Sequence, residues 1–277
     1  SGTVAAARID NLAASKITSG TVATARLGSG TASSSTFLRG DGSWAATGAG
    51  TGEQFVQIDQ NGNASNSGTN VYAGYRSGQG LASGGTNENT FYGTDSGKAT
   101  STGGYNTYIG HRAGENSTQS SNTAVGAEAL RNNTSGSGSN TAVGLGAAQF
   151  LTSASNSIAI GYHALKGTNG SNPVTGTSNI AIGSAAGDAL RAGSQNILIG
   201  QNAGGAMTGG HWNCIIGKDA LQTGDCNGSI LIGLDAGTGS TGGYNVVIGK
   251  GAADIGGGWS GSNNIIIGKD ADPSSTS

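Results

Sequence analysis

The chain is poor in nearly everything that builds an ordinary globular core. Among 277 residues there are two Pro, two Cys and one Met; 5% are aromatic and 10% charged. Two Cys are too few for a disulfide framework. The 13 basic and 15 acidic residues, for a formal charge of −2, leave neither a basic nucleic-acid footprint nor a polyacidic tail. No window approaches 18 consecutive apolar residues, which excludes a helical membrane span. A hydrophobic fraction of 34% cannot fill one thick core. The chain starts Ser1-Gly2-Thr3-Val4, without Met, a basic start or an apolar stretch. The expectation is a fragment or processed product, with room for a targeting segment upstream.

In place of a core-forming composition stand 54 Gly, 37 Ala, 34 Ser, 28 Thr and 24 Asn. Disorder would suit such numbers, but Val and Ile recur in compact runs that disordered chains lack. A fibrous or solenoid protein is the class that fits.

A repeat confirms that choice within the sequence. Aligned on a Gly, the clearest copies are Asn179-Ile-Ala-Ile-Gly183, Asn196-Ile-Leu-Ile-Gly200, Asn213-Cys-Ile-Ile-Gly217, Asn245-Val-Val-Ile-Gly249 and Asn264-Ile-Ile-Ile-Gly268. Weaker copies, such as Asn106-Thr-Tyr-Ile-Gly110, carry the series back to Gly74, giving twelve copies spaced 16 to 22 residues apart. Four residues before the anchor Gly, ten of the twelve copies have Asn, and the others have Ser157 and Ser229; three residues after it, all have Ala or Ser. Gly permits the positive φ of a sharp corner, stacked Asn can bond turn backbone from copy to copy, and the small column suits a crowded inner turn. The three residues between Asn and Gly are β-forming and too few for a helix. The repeat therefore predicts an all-β, parallel β-solenoid over 70–272, of about twelve coils and roughly 55 Å long at the usual strand spacing.

Side chains alternate along a strand, so the residues one and three before the anchor share a face, and their Ile and Val are expected to fill the coil. The residue between them is expected to point outward, yet it too is apolar in Leu198, Ile215, Leu231, Val247 and Ile266. A strand facing water should not be apolar on both sides, so these five residues are assigned to a face buried against an identical chain. Residues 1–49 lack the anchor motif but repeat Ser1-Gly-Thr-Val-Ala-Ala-Ala-Arg-Ile9 as Ser19-Gly-Thr-Val-Ala-Thr-Ala-Arg-Leu27, and suit an extended Gly/Ser/Thr-rich shaft or linker. Residues 50–69 form a transition or cap containing Phe55-Val-Gln-Ile58, and 273–277 a tail.

The Asn-x-Ile/Val-x-Ile/Val-Gly-x-x-Ala columns over Asn70 to Asp272 resemble the YadA-like head repeats of trimeric autotransporter adhesins. Looser copies, Asn122-Thr-Ala-Val-Gly-Ala-Glu-Ala-Leu130 and Asn140-Thr-Ala-Val-Gly144, are similar to β-roll segments of phage tail fibres. The segment from Ala25 to Trp44 resembles tail-fibre shaft sequence. What the resemblance implies is a left-handed β-roll, a homotrimer and attachment to a host surface.

Chemistry is sparse. His111, His163 and His211 fall in different columns of distant coils, so no metal site is expected. Asp219, Asp235 and Asp270 share a column, but the calcium-binding Gly-Gly-x-Gly-x-Asp repeat is absent, and a solvated charged edge is expected. No carboxylate pair or nucleophile elbow stands out, Gly48-Ala-Gly50-Thr-Gly52 fails the dinucleotide fingerprint, and no catalytic residue or cofactor is expected. The sequons at Asn116, Asn133 and Asn169 follow from composition. Tyr105, Trp212 and Tyr244 share the column five before the anchor, and Trp259 precedes the last coil. Exposed, these aromatics could contact a receptor; packing on neighbouring coils would explain them equally. Cys214 sits in a core strand column and Cys226 in the next loop, which leaves a bridge between them open.

The function expected is that of a non-enzymatic structural or adhesive segment of a trimeric tail fibre. It would sit on a virion, exposed to the extracellular medium, and bind a host surface glycan or protein, but neither nucleic acid nor membrane. A self-assembling extracellular filament subunit is the alternative, and a glycan-degrading tailspike a remoter one.

Overall fold

A computed structural model describes residues 70–81, 88–168, 172–255 and 258–273, together with the backbone of three short strands upstream. The chain divides into two units, Ser1–Glu53 and Gln54–Ser277. In the first, β1 (Thr36–Leu38) pairs antiparallel with β2 (Trp44–Ala46). The rest of the expected shaft, and the tail beyond residue 273, lie outside the described residues.

In the second unit β3 (Gln57–Asp59) pairs antiparallel with β4 (Asn70–Ala73). From β4 onward each coil contributes one strand at the predicted position. In order these are β5 (Thr90–Tyr92), β6 (Thr107–Ile109), β7 (Thr123–Val125), β8 (Thr141–Val143), β9 (Ile158–Ile160), β10 (Ile180–Ile182) and β11 (Ile197–Ile199). The last four are β12 (Cys214–Ile216), β13 (Ile230–Ile232), β14 (Val246–Ile248) and β15 (Ile265–Ile267). Strands β4 to β15 stack in parallel in sequence order, each residue opposite its equivalent in the next coil. This is a parallel β-solenoid of about eleven turns. Among the described residues no helix is long and apolar enough to cross a membrane.

The side-chain directions are the reverse of those expected. Phe91, Tyr108, Leu198, Ile215, Leu231, Val247 and Ile266, in the middle of their strands, are buried inside the coil. The flanking Ile and Val point outward, half-buried or exposed. Leu198, Ile215, Leu231, Val247 and Ile266 are therefore core residues and cannot form a face against another chain. The reason lies in the Asn column. Asn four before the anchor points inward, and side chains two apart share a face, so the residue two before the anchor must point inward as well.

Several coils exchange bulk between two columns, whereas Ala181 with Gly187 is filled from the neighbouring coils by Leu165 and Leu198, and Ile215 with Leu221 is large in both. The position four after the anchor abuts the middle strand residue: a Cβ added to Gly97 would fall 2.6 Å from the Phe91 ring, one on Gly114 2.4 Å from Tyr108, and one on Gly237 2.7 Å from Leu231. Where the strand residue shrinks to Ala124 or Ala159, that position carries the buried Leu130 or Leu165. Close packing permits this trade because voids and overlaps both destabilise. The small column is interior as far as Ala252, with Ala271 half-buried; where it has Ser instead of Ala, Ser77 and Ser96 donate to the carbonyls of Phe91 and Tyr108 in the next coil.

Candidate functional site

Two ladders make the scaffold rigid. The Oδ1 of each Asn, or the Oγ of Ser157 and Ser229, accepts the backbone N–H of its counterpart one coil on. The eleven steps from Asn70 to Asn264 measure 2.9–3.2 Å and pass through Asn106, Asn179, Asn196, Asn213 and Asn245. The Nδ2 groups tie in the return loops: Asn179, Asn196 and Asn213 donate to the carbonyls of Gly193, Gly210 and Cys226. Most of these amides are buried, and a buried polar group left unpaired is costly, so the ladder holds each coil in register with the next.

The anchor glycines form the second ladder. Gly183, Gly200, Gly217, Gly249 and Gly268 have φ between 132° and 143°, and their N–H groups donate to the strand-end carbonyl of the coil before at 2.8 Å. A Cβ on Gly217 would lie 2.2 Å from the Gly233 carbonyl oxygen, so coil stacking itself excludes any side chain there. Gly268, with no coil beyond it among the described residues, meets nothing nearer than Ala271 at 3.5 Å.

Outside the ladders the surface has three textures. Along the strand ladder runs an apolar stripe of Ile158, Ile160, Ile180, Ile182, Ile197 and Ile199, continued by Ile230 and Ile232 and ending in Ile265 and Ile267, which are 75% and 65% exposed. In the first coils the stripe is diluted by Thr90, Thr107, Thr123 and Thr141.

A second surface carries alternating charges. Arg76 makes a two-pronged pair with Asp95 at 2.6 and 2.8 Å, Arg131 meets Glu115 at 2.7 Å, and Lys98, Arg112 and Glu128 complete the network at 3.7–3.8 Å. The Arg76 bond holds the Asp95 carboxyl below its ordinary range against the opposing effect of burial. Further along, Asp219 is held low by its bond from Asn202 and contacts Lys218, and Asp270 lies 3.4 Å from Lys269. Among the described residues no three His, Cys, Asp or Glu converge on a metal position.

The third texture is aromatic. Tyr105, Trp212 and Tyr244 are exposed at a corner just before the Asn ladder. Trp259 differs: it packs partly buried against the core, with its indole over Gly261 and its backbone bridged to Ser240. The four aromatics are thus not one surface.

The remaining chemistry is held within the fold. Cys214 and Cys226 are free thiols rather than a bridge; Cys226 is buried, touches Asn213 Oδ1 at 3.4 Å, and burial pushes its thiol up to about 12. His163 stacks on Tyr162, and burial together with Lys166 lowers its affinity for a proton. The Asn133 amide is buried and donates to Leu151, which removes that sequon as an acceptor; Asn169 lies outside the described residues. The size exchange between columns and the alternating charges went unread in the sequence, although spacing from the anchor Gly would have displayed both. No protein-family model, curated protein or solved structure matches the chain.

Proposed function

We propose that the chain is a non-enzymatic structural and adhesive fibre segment whose copies pack side by side along the apolar stripe. The single observation that carries this is the stripe itself: an in-register run of outward Ile from β9 to β15, far larger than scattered surface hydrophobes need be. A rod with one apolar edge is covered most economically by identical rods, and closed symmetry hides every stripe at once. The repeat columns support a left-handed coil and three chains. With the shaft-like N-terminal sequence they favour a virion tail fibre, exposed outside the cell and binding a host glycan or protein. Three copies convert weak contacts into avidity.

A specific feature favours the filament as second reading. Strand β15 has no partner on its outer edge among the described residues, and Ile265 and Ile267 are the most exposed apolar residues of the ladder. Such an edge can accept another strand end to end.

Light-scattering mass across a concentration series tests both. A constant threefold mass is the expected result, reduced to monomer by Ile216→Asp with Ile232→Asp on the outward face. Mass that grows with concentration would replace the closed fibre with the filament, and a monomer at every concentration would overturn both.

A further inference from the structure

We infer that Trp212 and Tyr244 form a two-platform binding site for an extended, uncharged β-linked oligosaccharide. The inference rests on the adhesive reading above and gives it a ligand class.

The column five before the anchor is left-handed throughout the described coils, with φ from 55° to 72°. That backbone suits Gly, Asn and small polar residues, and most coils comply with Ser121, Ser139, Asn156, Ser178 or Asn263. Bulky aromatics are poorly suited to it. Trp212 and Tyr244 nevertheless occupy it at φ 58° and remain 60% and 63% exposed, so the strain is not repaid by core packing. Backbone strain combined with unspent aromatic surface points to a use outside the fold.

Both rings are held in place. Trp212 Nε1 donates to Gln195 Oε1 at 2.5 Å in the preceding coil. Tyr244 lies back across Gly228 in the coil before it: a Cβ there would be 2.8 Å from ring atoms Cδ1 and Cε1. Each ring leans by the same one coil, so the separation stays at two coils, about 9.6 Å. That matches the repeat of alternate sugars in an extended β-linked chain, whose pyranose faces are apolar and whose edges carry hydroxyls. The absence of a side chain at Gly228 is what lets the second ring lie down.

Hydrogen-bonding groups flank the rings. His211 packs at a tilt on Trp212, 5.5 Å between ring centres, and its Nδ1 accepts the Ser194 N–H at 3.1 Å. In the neutral imidazole this fixes Nε2 as a donor. Asn227, exposed beside Gly228, accepts the His211 backbone N–H through Oδ1. The Asp225 carboxylate, held by Thr208 and Gly209, places a negative charge in the same loops, which disfavours a phosphate or carboxylate ligand. Tyr105 supplies the internal control: its column neighbours are Glu88 and Ser121, and no second ring lies two coils away.

The test uses the full chain in its native assembly and a panel of linear β-1,4 hexasaccharides of glucose, N-acetylglucosamine and mannose, with α-linked maltohexaose as the curved control. Ligand-observed NMR and indole fluorescence should register at least one β-linked member binding and maltohexaose failing to bind. Trp212→Ala and Tyr244→Ala should each weaken that binding by about tenfold or more, with Tyr105→Ala unchanged. Three outcomes overturn the inference: no panel member binding up to about 10 mM, affinity unaltered in both variants, or loss of native mass in both, which would make the corner a contact between chains. A trimer that ignores the sugars removes only this site; a sugar-binding monomer removes only the fibre assembly.

Discussion

The first coils and the last share a backbone and differ in almost every column around it. Strands β5 and β6 enclose Phe91 and Tyr108, stacked with ring centres 5.0 Å apart, and Gly97 and Gly114 make room for them. Strands β11 to β15 enclose Leu198, Ile215, Leu231, Val247 and Ile266 instead. Outside, the first coils pair Arg76 with Asp95 and Arg131 with Glu115 and present Thr along the strand ladder, whereas the last present Ile there. The lesson is that Asn and Gly columns fix the coil, while volume and charge vary from coil to coil, with neighbouring coils filling space that one leaves, as Leu165 and Leu198 do around Gly187.

The largest expected effect breaks the feature both regions share. Gly217→Ala forces a Cβ into the Gly233 carbonyl and should cost about 4 kcal/mol or prevent folding. Gly268→Ala, at the open end, should cost only the left-handed strain, about 1–2 kcal/mol. Urea midpoints that fall equally would show that stacking is not what reserves the column for Gly.

Next in size is the amide ladder. Asn196→Ala removes the acceptor for Asn213 and the donor to Gly210, and should destabilise by about 3 kcal/mol; Asn264→Ala, in the last described coil, should lose about 1 kcal/mol. Thermal unfolding of the two variants measures the difference.

Converting one kind of coil into the other sharpens the comparison further. Ala124→Phe alone should overpack by about 1–3 kcal/mol. Combined with Leu130→Gly, which restores the aromatic-plus-Gly arrangement of the coils before it, the total loss should be less than the sum of the single losses. Additive losses in a double-mutant cycle would mean that the two columns do not share a volume.

The smallest effect is the response to acid. Asp95 is held below its ordinary range, so the Arg76–Asp95 pair contributes fully above the usual carboxylate range and is lost as pH falls through the lowered value. His163, whose proton affinity is lowered by burial, likewise favours the folded state only while neutral. Asp219, between β12 and β13, is held low as well, so acid loosens both regions; hydrogen exchange should quicken in each as pH falls, and Asp95→Asn combined with His163→Gln should shrink the response in the coils before β10 alone.

Much of the fold was legible because a solenoid writes its geometry as a period. The anchor spacing located every strand from β4 to β15, and the Gly and Asn columns announced the corner and the ladder. Twelve equivalent strands also fix a parallel register, because each residue must meet its own counterpart. The candidate site was only half legible: Tyr105, Trp212 and Tyr244 shared a column in the sequence, but nothing there told their exposure from the packing of Trp259.

By itself, then, the sequence determined the repeat, the strands and the residues that must recur at each corner, since backbone conformation and hydrogen bonding act column by column. Only the tertiary structure decided which face of each strand is inside. Both faces are apolar, so hydrophobicity could not choose between them; the inward pull of the Asn amides toward the neighbouring coil did, and it turned Leu198, Ile215 and Leu231 into core and left their Ile neighbours outside.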